Sequence, residues 1–289
     1  VPPAAVSRNH VVTPSSRTLR TVLLMSQVWI TTPRAVRLSG TLQESTPAGG
    51  GVAPDGCAVL FAHGFLAERS SRGRADVLAA AYREAGFTTL QFDFSGCGDS
   101  EDDVVEVGRQ VQDLAAASTF LAAAGWPRQV VHGHSLGALV ALRTSSPYVE
   151  AMVLTGGVTG PIHHPWEHVL SPEQLADLET TGRTTVLDDG PSARQHHVIS
   201  RQTLTDFSDV DQPSLLAAVA LPVLLVHGGA LVDGEEHPLL TRSRVGLPML
   251  PAGSRLEVVR GADHALLDYT DHVARLAVQW LAEVLEPEA

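Results

Sequence analysis

Lysine is absent from this 289-residue chain, and all 20 of its basic residues are arginine. A Schiff-base lysine and the lysine of a phosphate-binding P-loop are thereby excluded, and with them pyridoxal-phosphate and Walker-type chemistry. Cysteine is nearly absent: Cys57 and Cys97 are the only two. Without metal spacing or further partners they make neither a zinc module nor a disulfide framework, and they read as free thiols of a reducing compartment. Positive charge is short as well. The formal net charge is -12, which argues against nucleic acid and anionic membranes as partners. No apolar run reaches the roughly 18–20 residues of a membrane helix. The segment TVLLMSQVWI (Thr21–Ile30) follows Arg17 and Arg20 as an export signal does, but Ser26 and Gln27 break it and no A-x-A site follows. A cytoplasmic protein is expected.

What remains suits one sizeable core, because 44% of the residues are apolar and the length fits a single domain with an insertion. Residues 1–24, rich in Pro, Ser and Arg, are expected to be a disordered extension, with the working domain starting near Met25. From Met25, MSQVWITTPRAVRLSGTLQES alternates as a hairpin turning at Pro33. Apolar strands then take turns with amphipathic helices: CAVLFAH, GRADVLAAAYREAG, FTTLQFDF, VGRQVQDLAAASTFLAAAG, QVVHGH, LGALVALRTSS and VEAMVLTG. Strands without alternation between helices predict a mostly parallel sheet covered on both faces, an α/β fold. The rhythm stops over residues 158–213, which carry little strand character and read as an inserted cap. It resumes with LPVLLVHGG, passes the helix-poor SRVGLPMLPAGS, returns with RLEVVRGADH, and closes with the helix YTDHVARLAVQWLAEVL. The core is thus expected in two parts, 25–157 and 214–289.

One stretch asks for a chemical explanation: VVHGHSLGALVAL (Val130–Leu142) puts Ser135 between Gly133 and Gly137 where a strand meets a helix. A G-x-S-x-G turn holds its serine on a sharp bend, where side chains at the glycines would strike neighbouring backbone. The amide of Leu136, at the helix N-terminus, then faces a developing oxyanion. A serine hydroxyl needs a base and the base an orienting acid, in the order Ser, acid, His. His264 follows the last strand in VVRGADHALLD. The acid is expected after VLLVHG, where Asp233 in GGALVDGEEH is the first carboxylate, with Glu235 as the alternate. The loop after the first parallel strand, LFAHGF, offers the Phe65 amide as second oxyanion donor, with His63 and Gly64 shaping the turn.

HGF, FDFSGCGDS, GHSLG, LLVHGG and GADH follow one another as they do in the alpha/beta-hydrolase superfamily. Over roughly Val36–Leu285 the chain resembles bacterial serine esterases of the feruloyl/cinnamoyl-esterase and monoacylglycerol-lipase-like kind. The resemblance implies an alpha/beta-hydrolase fold with an inserted cap, and a Ser-His-Asp enzyme that cleaves an ester, thioester or amide of a small-molecule acyl substrate without a cofactor. It places Ser135, His264 and Asp233 in the triad and Phe65 and Leu136 in the oxyanion hole. Two departures stand out: Cys97 occupies a position often filled by histidine or another bulky residue, and the acid loop is displaced.

Other residues carry weaker signals. His63, Cys97, His134 and Trp166 are candidates for contact with substrate, Cys97 at the pocket edge rather than as a reactive thiol. Asp93 in FDFSG is read as a structural brace. The cap histidines His163, His164, His168, His196 and His197 are read as surface or substrate-facing, and no metal is expected, since Pro165 interrupts the i,i+4 pair His164 and His168. The same triad also serves an acyltransferase or cyclase, and a noncatalytic binding protein on this fold is the remaining alternative. The sequence sets no oligomeric state.

Overall fold

The computed structural model describes residues 25–45 and 51–285; the expected extension 1–24 lies outside the described residues. β1 (Met25–Thr31) and β2 (Arg37–Gln43) form the hairpin, in register from Met25 opposite Gln43 to Thr31 opposite Arg37. β2 then pairs antiparallel with β4 (Thr88–Phe92), next to β3 (Cys57–Ala62). β6 (Arg128–His134), β7 (Val149–Thr155), β10 (Val223–Gly228) and β13 (Arg255–Val259) complete an eight-stranded sheet in the order β1-β2-β4-β3-β6-β7-β10-β13. From β4 onward every pairing is parallel. β3 and β10 are buried along their whole length, which is why their sequences run apolar without alternation.

Helices cover both faces. α1 (Arg74–Glu84) and α8 (Thr270–Val284) close one side around Leu78, Tyr82, Ala277, Trp280 and Leu281. α2 (Val107–Ala123) and α3 (Leu136–Arg143) close the other around Leu114, Leu121, Ala138 and Leu139. Burying each large side chain contributes about 1.5–3 kcal/mol. The layers hold the C-terminal ends of β3, β6, β10 and β13 together at one rim, where ligands of open parallel sheets bind. Among the described residues no helix is long and apolar enough to cross a membrane.

The insertion departs from its sequence reading. α4 (Pro172–Thr180) leads into β8 (Arg183–Leu187), and β8 pairs antiparallel with β9 (His196–Ser200). β9 in turn lies parallel to β5 (Val104–Val105) of the core. These strands were illegible because β8 is mostly exposed and short, and its sheet is completed by a partner about ninety residues away. α5 (Arg201–Ser208) and α6 (Gln212–Ala217) return the chain to β10. After a small hairpin, β11 (Leu231–Val232) with β12 (Glu235–Glu236), α7 (Pro238–Gly246) precedes the stretch read as helix-poor and runs into its first four residues.

Candidate active site

Ser135 caps α3 with φ 52° and ψ -116°, a backbone state that costs on the order of 1–3 kcal/mol for a residue with a side chain. The two glycines make the bend feasible. A Cβ on Gly137 would lie 2.1 Å from the Ala62 carbonyl oxygen, and one on Gly133 would lie 2.9 Å from the Ala138 Cα. Backbone cannot retreat as a flexible side chain can. Gly137→Ala is therefore expected to destabilise the fold by about 3 kcal/mol or more, read as a lowered urea midpoint; an unchanged midpoint would mean that the turn can relax.

His264 reaches the serine from the loop after β13. Its Nε2 lies 3.2 Å from Ser135 Oγ, within hydrogen-bond distance. Burial, then the neighbouring His237 and the cation of Arg74, hold the His264 pKa down at about 4, so the ring is neutral at physiological pH and able to accept a proton. Close backbone contacts fix the loop. A Cβ on Gly228 would strike the Asp263 carbonyl oxygen at 2.1 Å, and one on Gly156 would lie 2.9 Å from His264 Nδ1. Arg74 Nη1 donates to the Ala265 carbonyl at 2.7 Å.

On the opposite side of Ser135, the β3 loop comes close enough that a Cβ on Gly64 would sit 3.4 Å from Ser135 Cβ. Neither the Phe65 nor the Leu136 backbone N–H is used in a hydrogen bond among the described residues. Ser135 and His264 open into a cleft of about 460 Å³, whose lining includes Phe65, Leu66, Val169 and Leu267 beside Arg74 and the cap loop Asp188–Pro191. A serine hydroxyl, an imidazole and two unpaired amides around one cleft suit attack on a carbonyl.

Residues 59–279 match the profile described as "Alpha/beta hydrolase family". The chain belongs to the alpha/beta hydrolase family. Among solved structures it is similar to the esterase domain of a Rhodothermus marinus protein, at 22% identity and TM-score 0.63 over 90% of this chain and 99% of that one. A thermophilic esterase from Thermogutta terrifontis, in a malate-bound structure, has 18% identity and TM-score 0.63 over the same shares. Dienelactone hydrolase from Anabaena variabilis has 21% identity and TM-score 0.59, over 91% of this chain and 99% of that one. No curated protein matches the sequence. At these identities the structures establish a common fold.

The remaining sequence candidates are not all brought to the cleft of this alpha/beta hydrolase. Asp233 is exposed at the tip of the β11–β12 hairpin, with φ 53° followed by Gly234 at 84°. Glu235 is exposed beside it. Among the described residues no carboxylate hydrogen-bonds His264. The reason is local: Asp-Gly with positive φ at both positions is the favoured two-residue hairpin turn, and that signal is present in the sequence. His237 faces the His264 ring instead, stacked at 5.1 Å and 7°.

His134 does line the cleft, with Nδ1 3.0 Å from Thr155 Oγ1. His63 does not. It is buried, Nδ1 donates to the Gly64 carbonyl at 2.9 Å, and Nε2 accepts from Phe94 N at 3.0 Å; burial holds its pKa down to about 4, and it shapes the loop as a neutral brace. Cys97 is fully buried with Val105, Leu170 and Ile199 beneath the cap, and burial pushes its thiol pKa up. It is neither a pocket edge nor a nucleophile. Trp166 stands behind the cleft wall, packed on Phe65 at 6.3 Å and Phe207 at 5.6 Å. Asp93 accepts from Arg69 N at 2.6 Å and pairs with the Arg69 guanidinium. In the cap, His164 packs on Phe207 ahead of the single 3-10 turn that holds His168. No group of three metal-type ligands occurs among the described residues. Arg74 and the Asp188–Pro191 loop were missed by the sequence reading, because nothing in their local pattern marks them as facing Ser135.

Proposed function

We propose that this alpha/beta hydrolase is a serine hydrolase that cleaves a carboxylic ester or thioester through an acyl-enzyme on Ser135. The observation that carries the reading is the 3.2 Å approach of His264 Nε2 to Ser135 Oγ beside the unpaired amides of Phe65 and Leu136. Ser135 Oγ attacks the substrate carbonyl carbon while its proton passes to His264 Nε2. The two amides hold the tetrahedral oxyanion, each worth about 3–4 kcal/mol where such donors have been removed. His264 returns the proton to the leaving oxygen or sulfur, and water, activated by the same nitrogen, releases the acid. The acyl part would lie against Phe65, Leu66, Val169 and Leu267, and no step calls for a cofactor.

Among the described residues no carboxylate hydrogen-bonds Nδ1 of the imidazolium formed in this cycle, so Ser135 and His264 act as a dyad. Two results follow. Asp233→Asn is expected to leave kcat/KM within about threefold of the parent, as for an exposed residue away from the reacting atoms; a loss above a hundredfold would show that Asp233 reaches His264 during turnover. The acid limb should also be displaced. Activity depends on neutral His264 and rises with pH through the His264 pKa, which is near 4. kcat/KM is therefore expected to stay level from neutral pH down to about 5.5, where a base of ordinary imidazole pKa would have lost about nine-tenths of its activity.

The direct test of the reading is intact-protein mass after exposure to a fluorophosphonate. A single adduct that is lost in Ser135→Ala supports it. Absence of any adduct on the folded parent chain would favour a noncatalytic binding protein.

A further inference from the structure

The cleft holds one charge that the reaction leaves unexplained. Of its charged lining residues, Arg72 pairs with Asp189 at 3.2 Å on the rim. Glu68 folds back on its own loop, accepting from Ser70 N and Arg72 N. Asp188 accepts from Gly190 N and Ser192 Oγ and faces His197. Arg74 alone has no carboxylate within ion-pair distance among the described residues. It is only 8% exposed, and the one hydrogen bond of its side chain among the described residues, from Nη1 to the Ala265 carbonyl, leaves the rest of the guanidinium fork unmatched.

Three features make this position unfavourable in the free protein. Burial disfavours an unpaired cation and lowers the Arg74 pKa to about 10. Arg74 opens α1, where the helix dipole repels positive charge. The nearby rings of His132, His134 and His264 offer it no negative charge, and Arg74 disfavours their protonation; the Asp263 carboxylate favours the cation from beyond ion-pair distance without pairing with it. A guanidinium held so beside a nucleophile is matched by an anion that enters with the substrate, since its planar fork binds a carboxylate through paired hydrogen bonds. In a chain of net charge -12, long-range attraction does not draw such a substrate in, so recognition falls to this local cation.

We propose that Arg74 is a specificity-determining residue that binds a carboxylate on the substrate, making this site selective for the esters of acidic molecules over neutral ones. The proposal rests on the serine-hydrolase reading and names its substrate class.

The test compares three esters on the intact chain: para-nitrophenyl hexanoate, the mono-para-nitrophenyl ester of adipic acid, and meta-carboxy-para-nitrophenyl hexanoate. The second carries the charge on the acyl side and the third on the leaving group. At least one charged ester is expected to show kcat/KM about 10–100-fold above the neutral one, the worth of a charge-assisted hydrogen-bonded pair. Arg74→Gln should abolish that preference through KM, and Arg74→Lys should restore part of it. An arginine that merely ties down the His264 loop through Ala265 predicts something else: all three esters fall together, through kcat. That result, or equal turnover of the three esters by the parent chain, would overturn the proposal while leaving the labelled Ser135 intact. Loss of labelling itself would overturn both readings.

Discussion

Ser135→Ala is expected to lower kcat by about 10⁴–10⁶-fold, the range found when the nucleophile of such a group is removed, with the urea midpoint unchanged. Only Oγ is lost: the alanine keeps the Cβ, the helix cap geometry and the strained φ of 52°, while His264 loses its one hydrogen-bond partner. Ser135→Gly separates chemistry from strain. It should be as inactive as the alanine variant yet more stable than it by about 1 kcal/mol, because a glycine meets no penalty at this φ and ψ. Single-turnover kinetics with equilibrium unfolding of both variants checks the pair. Turnover within tenfold of the parent in either variant would remove Ser135 from the reaction. Equal stability of the two would mean that the bend is held without strain.

The second large effect is acid lability. Five buried or half-buried rings are held neutral: His63 and His264 with pKa values of about 4, His132 and His227 at about 3, and His134 well below the ordinary imidazole value. Desolvation is the leading cause for each. Nearby positive charge adds to it for His132, through Arg74, and for His227, through His264, His237 and Arg244. An unfolded histidine titrates near 6.5, so between that pH and the folded value the unfolded chain binds more protons. The stability these rings contribute is thus complete above pH 6.5 and lost as pH falls toward 4. Each ring loses about 2 kcal/mol by pH 5. Asp93, Asp113 and Asp206 act in the opposite sense, because burial raises their folded pKa and acid relieves them. The histidine loss exceeds what the aspartates regain, so stability is expected to fall by several kcal/mol between pH 7 and 5, a large part of the roughly 5–15 kcal/mol that holds a typical domain together. Urea unfolding followed by tryptophan fluorescence at pH 7, 6 and 5 measures it. A constant midpoint would mean that the rings are solvated. The level pH profile predicted for catalysis ends where this unfolding begins.

Much of this molecule is local in origin. The strand-helix rhythm, the hairpin at Pro33 and the tight turn at Gly133–Gly137 arise from apolar runs, turn residues and glycines within a few positions of one another. Each is fixed by a short stretch of chain. Ser135 and His264 stood out because each lies at the end of an apolar strand, where a parallel sheet exposes its loops. The β8–β9 hairpin did not stand out, since its sheet needs Val104 and Val105 from another part of the chain.

The sequence by itself determined the alpha/beta architecture and the places of Ser135 and His264 at the ends of their strands, because glycine spacing and hydrophobic period act over a turn or a strand. The tertiary structure alone decided how the loops face one another. It turned Asp233 outward on an Asp-Gly hairpin, closed His63 and Cys97 into the interior, and set an unpaired Arg74 beside Ser135 by folding the start of α1 against the loop after β13. Charge balance and burial are sums over neighbours from distant segments, and such sums exist only once the chain has packed.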